Sequence, residues 1–191
     1  MKPLCFATNN AHKIEELQAM LGLTFTLKTL SEIGCHDDIA ETGTTLEENS
    51  LIKAQYVWDN YQMDCFADDS GLEVAALNGA PGVYSARYSG VHHSFAANNA
   101  LLLRNLAGIT NRAAQFRTVI TLILGGEIHQ FEGIIKGNII DQPRGTEGFG
   151  YDPLFVPDGY NQTFAEISLA EKSLISHRAK AVEKLVAFLG K

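Results

Sequence analysis

The sequence is short of the residues that cross-link chains or bind zinc. Its 191 residues include three cysteines, Cys5, Cys35 and Cys65, and this odd, widely spaced set without a CxxC pair argues against a disulfide framework or a structural zinc site. The six histidines form no HExxH or HxH pattern, so a His-ligated transition metal is not indicated. We therefore expect the reduced cytoplasm as the location.

Long hydrophobic runs are also missing. No window approaches the roughly 18 to 20 apolar residues that a membrane span requires. The N-terminal residues MKPLCFATNN turn polar after a few apolar positions, which is too soon for a secretory signal. We expect no membrane partner and no export.

Positive charge is scarce. Fifteen Lys and Arg residues face 22 Asp and Glu residues, which gives a formal net charge of -7. A protein that binds a long polyanion usually carries an extended basic surface, so polymeric nucleic acid is a poor partner for this chain. A small anion carried together with a divalent cation remains compatible with the charge.

What remains is the composition of an ordinary globular domain, with 46% hydrophobic and 19% charged residues. A chain of this length buries about 70% of the surface that its unfolded form exposes, so we expect one domain over residues 1–191. Strand-like and helix-like stretches alternate without a repeat, which favours an α/β fold.

Local patterns predict the order of the elements. The predicted strands cover Leu4–Phe6 and residues 24–30, 114–124 and 127–140, and the last two are joined by Gly125 and Gly126 as a hairpin. The predicted helices follow the first strand, with Ile14, Leu17 and Leu21 on one face, and then cover about residues 45–60 and 94–107. Thr45 and Glu48 have the spacing of a capping box for the helix at 45–60.

Two segments are less regular. Residues 65–82, CFADDSGLEVAALNGAPG, predict a strand, a polar turn, a second extended piece and a Pro-Gly turn. Residues 141–153 have no period and predict a functional loop. The C-terminal helix begins either after Ser168, with Glu171 completing the cap, or after Ser176, and we favour the later start at His177.

Thr8, Asn10 and Lys13 lie where the first predicted strand becomes a helix. The free N–H groups of a helix start attract anions, and a lysine three residues after Asn10 lies on the same helical face. This pattern indicates a phosphate site. The alternative is an ordinary helix cap beside a solvated lysine.

Glu41 lies just ahead of the second predicted helix, and Asn49 and Lys53 are four residues apart on one face of that helix. Polar side chains beside an apolar stripe are typical of a helix surface as well as of a site. The pattern alone leaves both interpretations open.

Asp68 and Asp69 directly follow the apolar residues CFA, at the predicted C-terminal end of a strand. Ligands bind at this edge of open α/β sheets. Adjacent carboxylates repel each other unless a cation or hydrogen-bond donors compensate, and Mg²⁺ prefers carboxylate, water and phosphate oxygens. An Asp-rich turn is the alternative.

A glycine-rich loop surrounds Phe149. Gly145, Gly148 and Gly150 would let the backbone approach a flat ligand, Phe149 could stack on a base, and Asp152 could accept a donor from it. The spacing is not GxGxxG, so a dinucleotide fingerprint is not supported. A loop without a ligand is the alternative.

Basic residues gather near the predicted C-terminal helix. His177 and Arg178 add positive charge to a helix end that is already positive, which is unfavourable unless an anion or an acceptor is present. Together with Lys172 they are candidates for binding, and solvated charge is the alternative.

Six motifs follow one another along the chain: TNNAHK at 8–13, ETGTTLEENSLIKA, ADDSGLEV with APGVYSARYSG, FEGIIKG, GFGYDP and SHRAKA. In this order and spacing they resemble the inosine triphosphate pyrophosphatase family, the non-canonical purine nucleoside triphosphate pyrophosphatases. The resemblance runs from about residue 4 to residue 189. Each motif is weak alone, and the combination carries the resemblance.

The resemblance implies a Mg²⁺-dependent enzyme that hydrolyses dITP, ITP and XTP to the nucleoside monophosphate and pyrophosphate, and so removes deaminated purines from the nucleotide pool. It implies a long, curved, mixed β-sheet with flanking helices that form two lobes around a central cleft. It also implies a homodimer.

By the same resemblance, the site residues fall into three sets. Glu41 and Asp69 correspond to the metal ligands. Asp69 also corresponds to the proton acceptor. From the chemistry of the reaction we add to the catalytic set Lys53, which would stabilise the charge that develops on the pyrophosphate, and Asp68, as support for Asp69 or as a second metal ligand. The remaining positions correspond to substrate contacts: Thr8, Asn9, Asn10, Ala11, His12, Lys13, Ser70, Phe149, Gly150, Tyr151, Asp152, Lys172, His177 and Arg178.

Three other interpretations are compatible with parts of the sequence. A pyrophosphatase for pyrimidine or methylated nucleotides would share the phosphate and metal groups but not the combination of SHR with GFGYDP. A nucleotide-binding sensor would keep the site without turnover, but the intact Asp68, Asp69 and Lys53 favour an enzyme. A scaffold would give no reason for so many polar residues at the ends of elements.

Overall fold

The computed structural model describes residues 2–8, 14, 17, 25–91 and 94–190. The chain divides into two compact units. The first unit consists of Met1–Asp69, Thr118–Gly133 and Lys180–Lys191, and the second consists of Ser70–Arg117 and Ile134–Ala179. Among the described residues, no helix has the length and hydrophobicity that crossing a membrane would require.

Six strands form one mixed sheet in the order β2-β1-β3-β4-β5-β6. They are β1 (Lys2–Phe6), β2 (Phe25–Thr29), β3 (Cys65–Val74), β4 (Ala113–Leu124), β5 (Glu127–Ile139) and β6 (Phe155–Pro157). Strand β1 is parallel to β2 and β3, whereas β5 is antiparallel to β6. The α/β class with a mixed sheet, expected from the sequence, is confirmed.

Four α-helices accompany the sheet within the described ranges: α1 (Leu46–Tyr61), α2 (Phe95–Asn105), α3 (Leu169–Ile175) and α4 (His177–Leu189). Helix α1 begins with the predicted capping box, in which Thr45 and Glu48 satisfy each other's backbone N–H groups. Most of the helix predicted after β1 lies outside the described residues, and its described members Ile14 and Leu17 are helical.

The two alternative starts of the C-terminal helix are both used. The side chain of Ser168 accepts from the N–H of Glu171 and begins the short helix α3. The backbone at Ser176 is extended and ends α3. Oγ of Ser176 accepts from the N–H of Ala179 at 3.1 Å, and α4 begins at the next residue, His177. The predicted start at His177 is therefore confirmed, with a separate helix before it.

The polar turn predicted within residues 65–82 is wrong. Strand β3 runs without interruption from Cys65 to Val74, through the turn-forming residues DDSG. It lies between β1 and β4 in the sheet, and its pairing with β1 covers Cys65 and Phe66. Incorporation into the sheet outweighs the local turn preference of Asp, Ser and Gly.

The predicted hairpin of β4 and β5 is confirmed. Only Gly125 and Gly126 separate the two strands, and both have positive φ, at 59° and 87°. A glycine pair adopts this conformation without the steric cost that a Cβ would bring.

The core of the first unit consists of two apolar clusters on opposite sides of β1. Leu4 and Phe6 pack in a cluster with Val182 of α4, and Phe6 stacks on the ring of Phe66 at a centroid distance of 4.6 Å. Cys5 packs in the other cluster. The alternation follows from the two-residue period of a strand that is buried on both faces. Helices α1 and α4 thereby cover opposite faces of the sheet in this unit.

The second unit has an aromatic core. Phe116 of β4 packs edge-on against Phe155 at a centroid distance of 4.8 Å and stacks near Phe164 at 5.9 Å. Leu102 of α2 and Tyr151 join the same cluster. This core anchors the loop that precedes β6 and the start of α4.

Candidate functional site

Lys53 organises the polar side chains of the first unit. It lies on α1, and its Nζ donates to Oε1 of Glu41 at 2.5 Å and to the backbone carbonyl of Asp68 at 2.7 Å. Its side chain is 13% exposed and that of Glu41 is 32% exposed. The lysine thus joins the segment ahead of α1 to strand β3.

The carboxylates around Lys53 keep it charged. Burial alone would lower the pKa of Lys53, but the carboxylates of Asp69, Asp68 and Glu41 together raise its pKa above the usual value. The lysine is therefore an ammonium ion at neutral pH.

Asn49 connects Asp69 to the same group. Its Nδ2 donates to Oδ2 of Asp69 at 3.0 Å, and the side chain is completely buried. Asp68 and Asp69 are themselves 3% and 9% exposed. We call Glu41, Asn49, Lys53, Asp68 and Asp69 the acidic cluster.

The acidic cluster has the donor chemistry that suits Mg²⁺. Its three carboxylates and one ammonium leave two negative charges, which one divalent cation would balance. Within the described residues, no three carboxylate, His or Cys side chains form a ready-made metal cage. Mg²⁺ is usually held by one or two carboxylates together with water and substrate phosphates, and Glu41 and Asp69 could supply such ligands.

The rest of the predicted phosphate site is only partly described. Asn9, Asn10, Ala11, His12 and Lys13 lie outside the described residues. Thr8 is half-buried and its N–H donates to the carbonyl of Phe6 at 2.7 Å. Ser70, a half-buried residue of β3, is the first residue of the second unit.

Lys172 organises a different group in the second unit. Its Nζ donates to Oδ2 of Asp152 at 2.5 Å, and the two side chains are 10% and 4% exposed. The ammonium also lies 4.8 Å from the ring centre of Phe149 and 5.3 Å from that of Phe164. These are the distances of cation–π contacts.

The loop around Phe149 is held in a defined shape. The N–H of Phe149 donates to Oδ2 of Asp152 at 2.8 Å. Gly148 has φ of +75°, and a Cβ at that position would lie 2.2 Å from the same Oδ2. Nδ2 of Asn99 on α2 donates to the carbonyl of Gly150 at 3.0 Å. The ring of Phe149 nevertheless stays 44% exposed.

His177 and Arg178 begin α4 and are both 7% exposed. The imidazole of His177 stacks on the ring of Phe116, with centroids 4.9 Å apart and planes inclined by 14°. Tyr151 is 4% exposed, and its hydroxyl donates to the carbonyl of Ser85 at 2.8 Å. Burial raises the pKa of Tyr151 well above its usual value, so its hydroxyl stays protonated and remains a donor. We call Phe149, Asp152, Lys172, His177 and Arg178 the aromatic–basic cluster. The first three contact one another, His177 is linked to them through the rings of Phe116 and Phe164, and Arg178 is its neighbour in the chain.

The structure adds three supporting residues to the predicted set of site residues. Asn49 holds Asp69, Phe116 lies under His177, and Asn99 holds the loop at Gly150. Only Asn49 had a usable signal, namely its position one helical turn before Lys53. The other two contacts join residues far apart in the chain.

Comparison with known proteins gives a consistent result over the whole length. A family model described as the Ham1 family matches residues 4–188. A protein of Flavobacterium psychrophilum named dITP/XTP pyrophosphatase is 54% identical over 185 residues, which are 97% of this chain and 97% of that protein. A protein of Porphyromonas gingivalis with the same name is 50% identical over 190 residues, or 99% of this chain and 98% of that protein.

Solved structures agree with these sequence relatives. The Staphylococcus aureus Ham1 protein is 40% identical with a TM-score of 0.94, over 99% of this chain and 98% of that chain. A HAM1 protein from Coxiella burnetii is 38% identical with a TM-score of 0.95, over 100% of this chain and 99% of that chain. This chain therefore shares its fold with both proteins from end to end.

Proposed function

The chain belongs to the Ham1 family, and from that membership we propose that it hydrolyses the non-canonical purine nucleoside triphosphates dITP, ITP and XTP to the nucleoside monophosphate and pyrophosphate. This activity removes deaminated purines from the nucleotide pool. The observation that carries the proposal is the acidic cluster, in which Lys53 is bound to Glu41 and to the Asp68 carbonyl while Asn49 holds Asp69. Buried groups of charged residues with shifted pKa values concentrate at catalytic and binding sites.

In this mechanism Asp69 takes the proton of the attacking water. A positioned carboxylate typically contributes about 10² to 10⁴ in rate as a general base. Nδ2 of Asn49 donates a hydrogen bond to Oδ2 of Asp69 at 3.0 Å, and this bond orients the carboxylate for the proton transfer. Asp68, the preceding residue of β3, assists Asp69 in the same proposal.

Negative charge develops on the pyrophosphate as the bond between the α and β phosphates breaks. Lys53 stabilises that charge as a permanent cation, supported by the raised pKa. Mg²⁺ bound by Glu41 and Asp69 would neutralise phosphate charge and lower the pKa of the attacking water. Residues 8–13, with Lys13, bind the triphosphate in the same proposal.

The aromatic–basic cluster binds the base. The exposed ring of Phe149, 44% accessible, offers a stacking face, and base stacking is typically worth about 1–3 kcal/mol. Hypoxanthine and xanthine carry an acceptor oxygen at position 6, where adenine carries a donor amine. A donor from Arg178 or His177 pairs with that oxygen and is left unpaired by adenine, at a cost of roughly 1–3 kcal/mol.

Guanine shares the oxygen at position 6, so its exclusion requires a second contact that senses the 2-amino group. Lys172 and Asp152 hold each other at 2.5 Å, which leaves them as a rigid border of the base site. Phe149, Gly150 and Tyr151 complete the nucleoside contacts in the proposal.

Residues 1–191 act as one pyrophosphatase domain. In support of this, the match to the Flavobacterium psychrophilum protein covers 97% of this chain and 97% of that protein. The cofactor is Mg²⁺, and the protein works as a homodimer in the cytoplasm. Its three cysteines are buried and free, which suits a reducing compartment.

A substrate panel with Mg²⁺ tests the function. We expect pyrophosphate release from dITP, ITP and XTP, and much slower turnover of dATP and dGTP. Asp69→Asn is the inactive control. Release of orthophosphate would mean that another bond is cut, preference for a pyrimidine triphosphate would indicate the related pyrophosphatases, and nucleotide binding without turnover would indicate a sensor.

A further inference from the structure

Asn49 connects the two segments that carry the carboxylates of the acidic cluster. The N–H of Gly43 donates to Oδ1 of Asn49 at 2.8 Å, and Nδ2 of Asn49 donates to Oδ2 of Asp69 at 3.0 Å. Gly43 is two residues after Glu41. The buried amide therefore spans from the loop that carries Glu41 to the strand that carries Asp69.

The two hydrogen bonds determine which way the amide faces. A backbone N–H can only donate, so the atom of Asn49 that faces Gly43 must be its oxygen. The NH₂ group then faces Asp69, where it forms a charge-assisted bond to the carboxylate. This orientation follows from the partners themselves.

The surroundings prevent the amide from turning away. Thr45 and Glu48 close the capping box that fixes the first turn of α1. A Cβ on Gly43 would lie 2.7 Å from Oδ1 of Asn49 and 2.6 Å from Cβ of Glu48. Only a glycine allows this close approach, so the loop at Gly43 packs directly against the first turn of α1 and the side chain of Asn49.

We infer that Asn49 is a positioning residue for Asp69, a role that rests on the proposed function because Asp69 receives the proton there. Its amide holds the carboxylate at one angle and keeps the Glu41 loop at a fixed distance from it. Asn49 touches no reacting atom and acts through Asp69. A catalytic group that is misplaced by about 1 Å loses roughly 100-fold in rate.

The test is Asn49→Ala, with Asn98→Ala as the matched control. Asn98 is buried at 2% exposure in the second unit, accepts from the N–H of Ser89 at 2.8 Å and donates to the carbonyl of Ala86 at 3.2 Å. Both variants thus lose a buried amide with bonds on both sides. Thermal melts establish the temperature range in which each variant is folded. Asn49→Ser, which replaces the amide by a shorter hydroxyl side chain, replaces the alanine variant if that one does not fold.

We expect Asn49→Ala to lower kcat for dITP about 100-fold. The Kd of the nucleotide, measured by calorimetry with Ca²⁺ in place of Mg²⁺, should stay within about twofold, and so should kcat of Asn98→Ala, as for independent sites. The role is overturned if Asn49→Ala keeps its kcat, or if Asn98→Ala loses as much.

A second measurement does not depend on activity. Urea unfolding of Asn49→Ala, Asp69→Ala and the double variant forms a cycle, and we expect non-additive unfolding free energies because the two side chains are in contact. Additive values would overturn the contact and the role. A wild-type chain that releases no pyrophosphate would overturn the proposed function together with this role, whereas an active wild type beside an equally active Asn49→Ala would overturn the role of Asn49 alone.

Discussion

Lys53 in the first unit and Lys172 in the second unit have similar direct partners. Each ammonium is nearly buried, and each donates to a carboxylate at 2.5 Å, Lys53 to Glu41 and Lys172 to Asp152. Each lysine also lies on a helix and joins that helix to a neighbouring segment. The first contact alone does not distinguish the two places.

The further neighbours of each lysine distinguish the two places. Around Lys53 the carboxylates of Asp68 and Asp69 are added, so the acidic cluster has a surplus of negative charge. Around Lys172 the added neighbours are the rings of Phe149 and Phe164. The first arrangement suits a metal ion and a polyphosphate, and the second suits a flat, nearly neutral base. We therefore expect changes in the first unit to alter the rate for every substrate, and changes in the second to alter the choice of base.

Asp69→Asn should give the largest effect. The amide cannot accept the proton of the attacking water, so we expect kcat to fall by about 10² to 10⁴ for dITP, ITP and XTP alike. The Kd of the nucleotide should largely survive. Steady-state pyrophosphate release and calorimetry measure the two quantities.

Asp59→Asn is the matched control, since Asp59 is an exposed residue of α1 whose carboxylate accepts only a side-chain bond from Gln55 at 2.8 Å in the described contacts. It should leave kcat unchanged. A near-normal kcat in Asp69→Asn would rule out Asp69 as the proton acceptor. A loss of kcat for only one of the three nucleotides would contradict the expectation that changes in the first unit alter the rate for every substrate.

Lys53→Met and Lys172→Met sharpen the comparison through stability. Lys172→Met leaves the buried carboxylate of Asp152 without its cation, and Lys53→Met removes the cation that faces the buried carboxylates of Asp68 and Asp69. We expect each variant to lose about 3–5 kcal/mol in the free energy of unfolding. Excess Mg²⁺ should restore part of the loss in Lys53→Met, because the surplus carboxylates there can bind a cation in place of the ammonium. It should not restore Lys172→Met, where Asp152 is the only carboxylate bonded to the lysine among the described contacts.

Urea unfolding with and without Mg²⁺ measures the difference, after the response of the wild type has been subtracted. Equal responses of the two variants to Mg²⁺ would show that the surplus charge around Lys53 is not a metal site.

Arg178→Ala tests the choice of base. Losing one buried donor should reduce the discrimination in kcat/KM between dITP and dATP by about 1–3 kcal/mol, or roughly 5- to 150-fold. Discrimination against dGTP should change less, because guanine carries the same oxygen at position 6. Lys180→Ala, an exposed position further along α4, is the control. Equal loss against dATP and dGTP would contradict this role.

Elements with strong local signals could be predicted from the sequence. The start of α1 follows from Thr45 and Glu48, and the hairpin of β4 and β5 follows from the glycine pair, because in both cases neighbouring residues decide the backbone. The turn predicted within β3 was wrong because incorporation into a sheet, between strands that are distant in sequence, decides the conformation there.

The same distinction applies to the site. The sequence indicated the residue types at 41, 53 and 69, but Lys53 and Glu41 are 12 residues apart, and Asn49 and Asp69 are 20 residues apart. Only the fold determines that these side chains are partners. The position of Asn49 beside an apolar stripe was also typical of a helix surface, because its partner Asp69 lies on strand β3 and not on its own helix.

Asn99→Ala should give the smallest effect. The Nδ2 of Asn99 holds the carbonyl of Gly150 at 3.0 Å, and one such bond contributes about 0.5–1.5 kcal/mol. We expect KM for dITP to rise roughly two- to tenfold with kcat unchanged, because in the proposed mechanism the loop binds the base and takes no part in the chemical step. Oδ1 of Asn99 is buried and has no hydrogen-bond partner among the described residues. Alanine therefore also removes an unsatisfied acceptor, and the rise in KM should lie near the lower bound.

Asn105→Ala is the control for Asn99→Ala. Asn105 is an exposed residue of the same helix, its Nδ2 donates to the hydroxyl of Tyr88, and its replacement should leave KM unchanged. A fall in kcat for Asn99→Ala would mean that the second unit also controls the chemical step, and the contrast between the two lysine clusters would then no longer separate rate from selectivity.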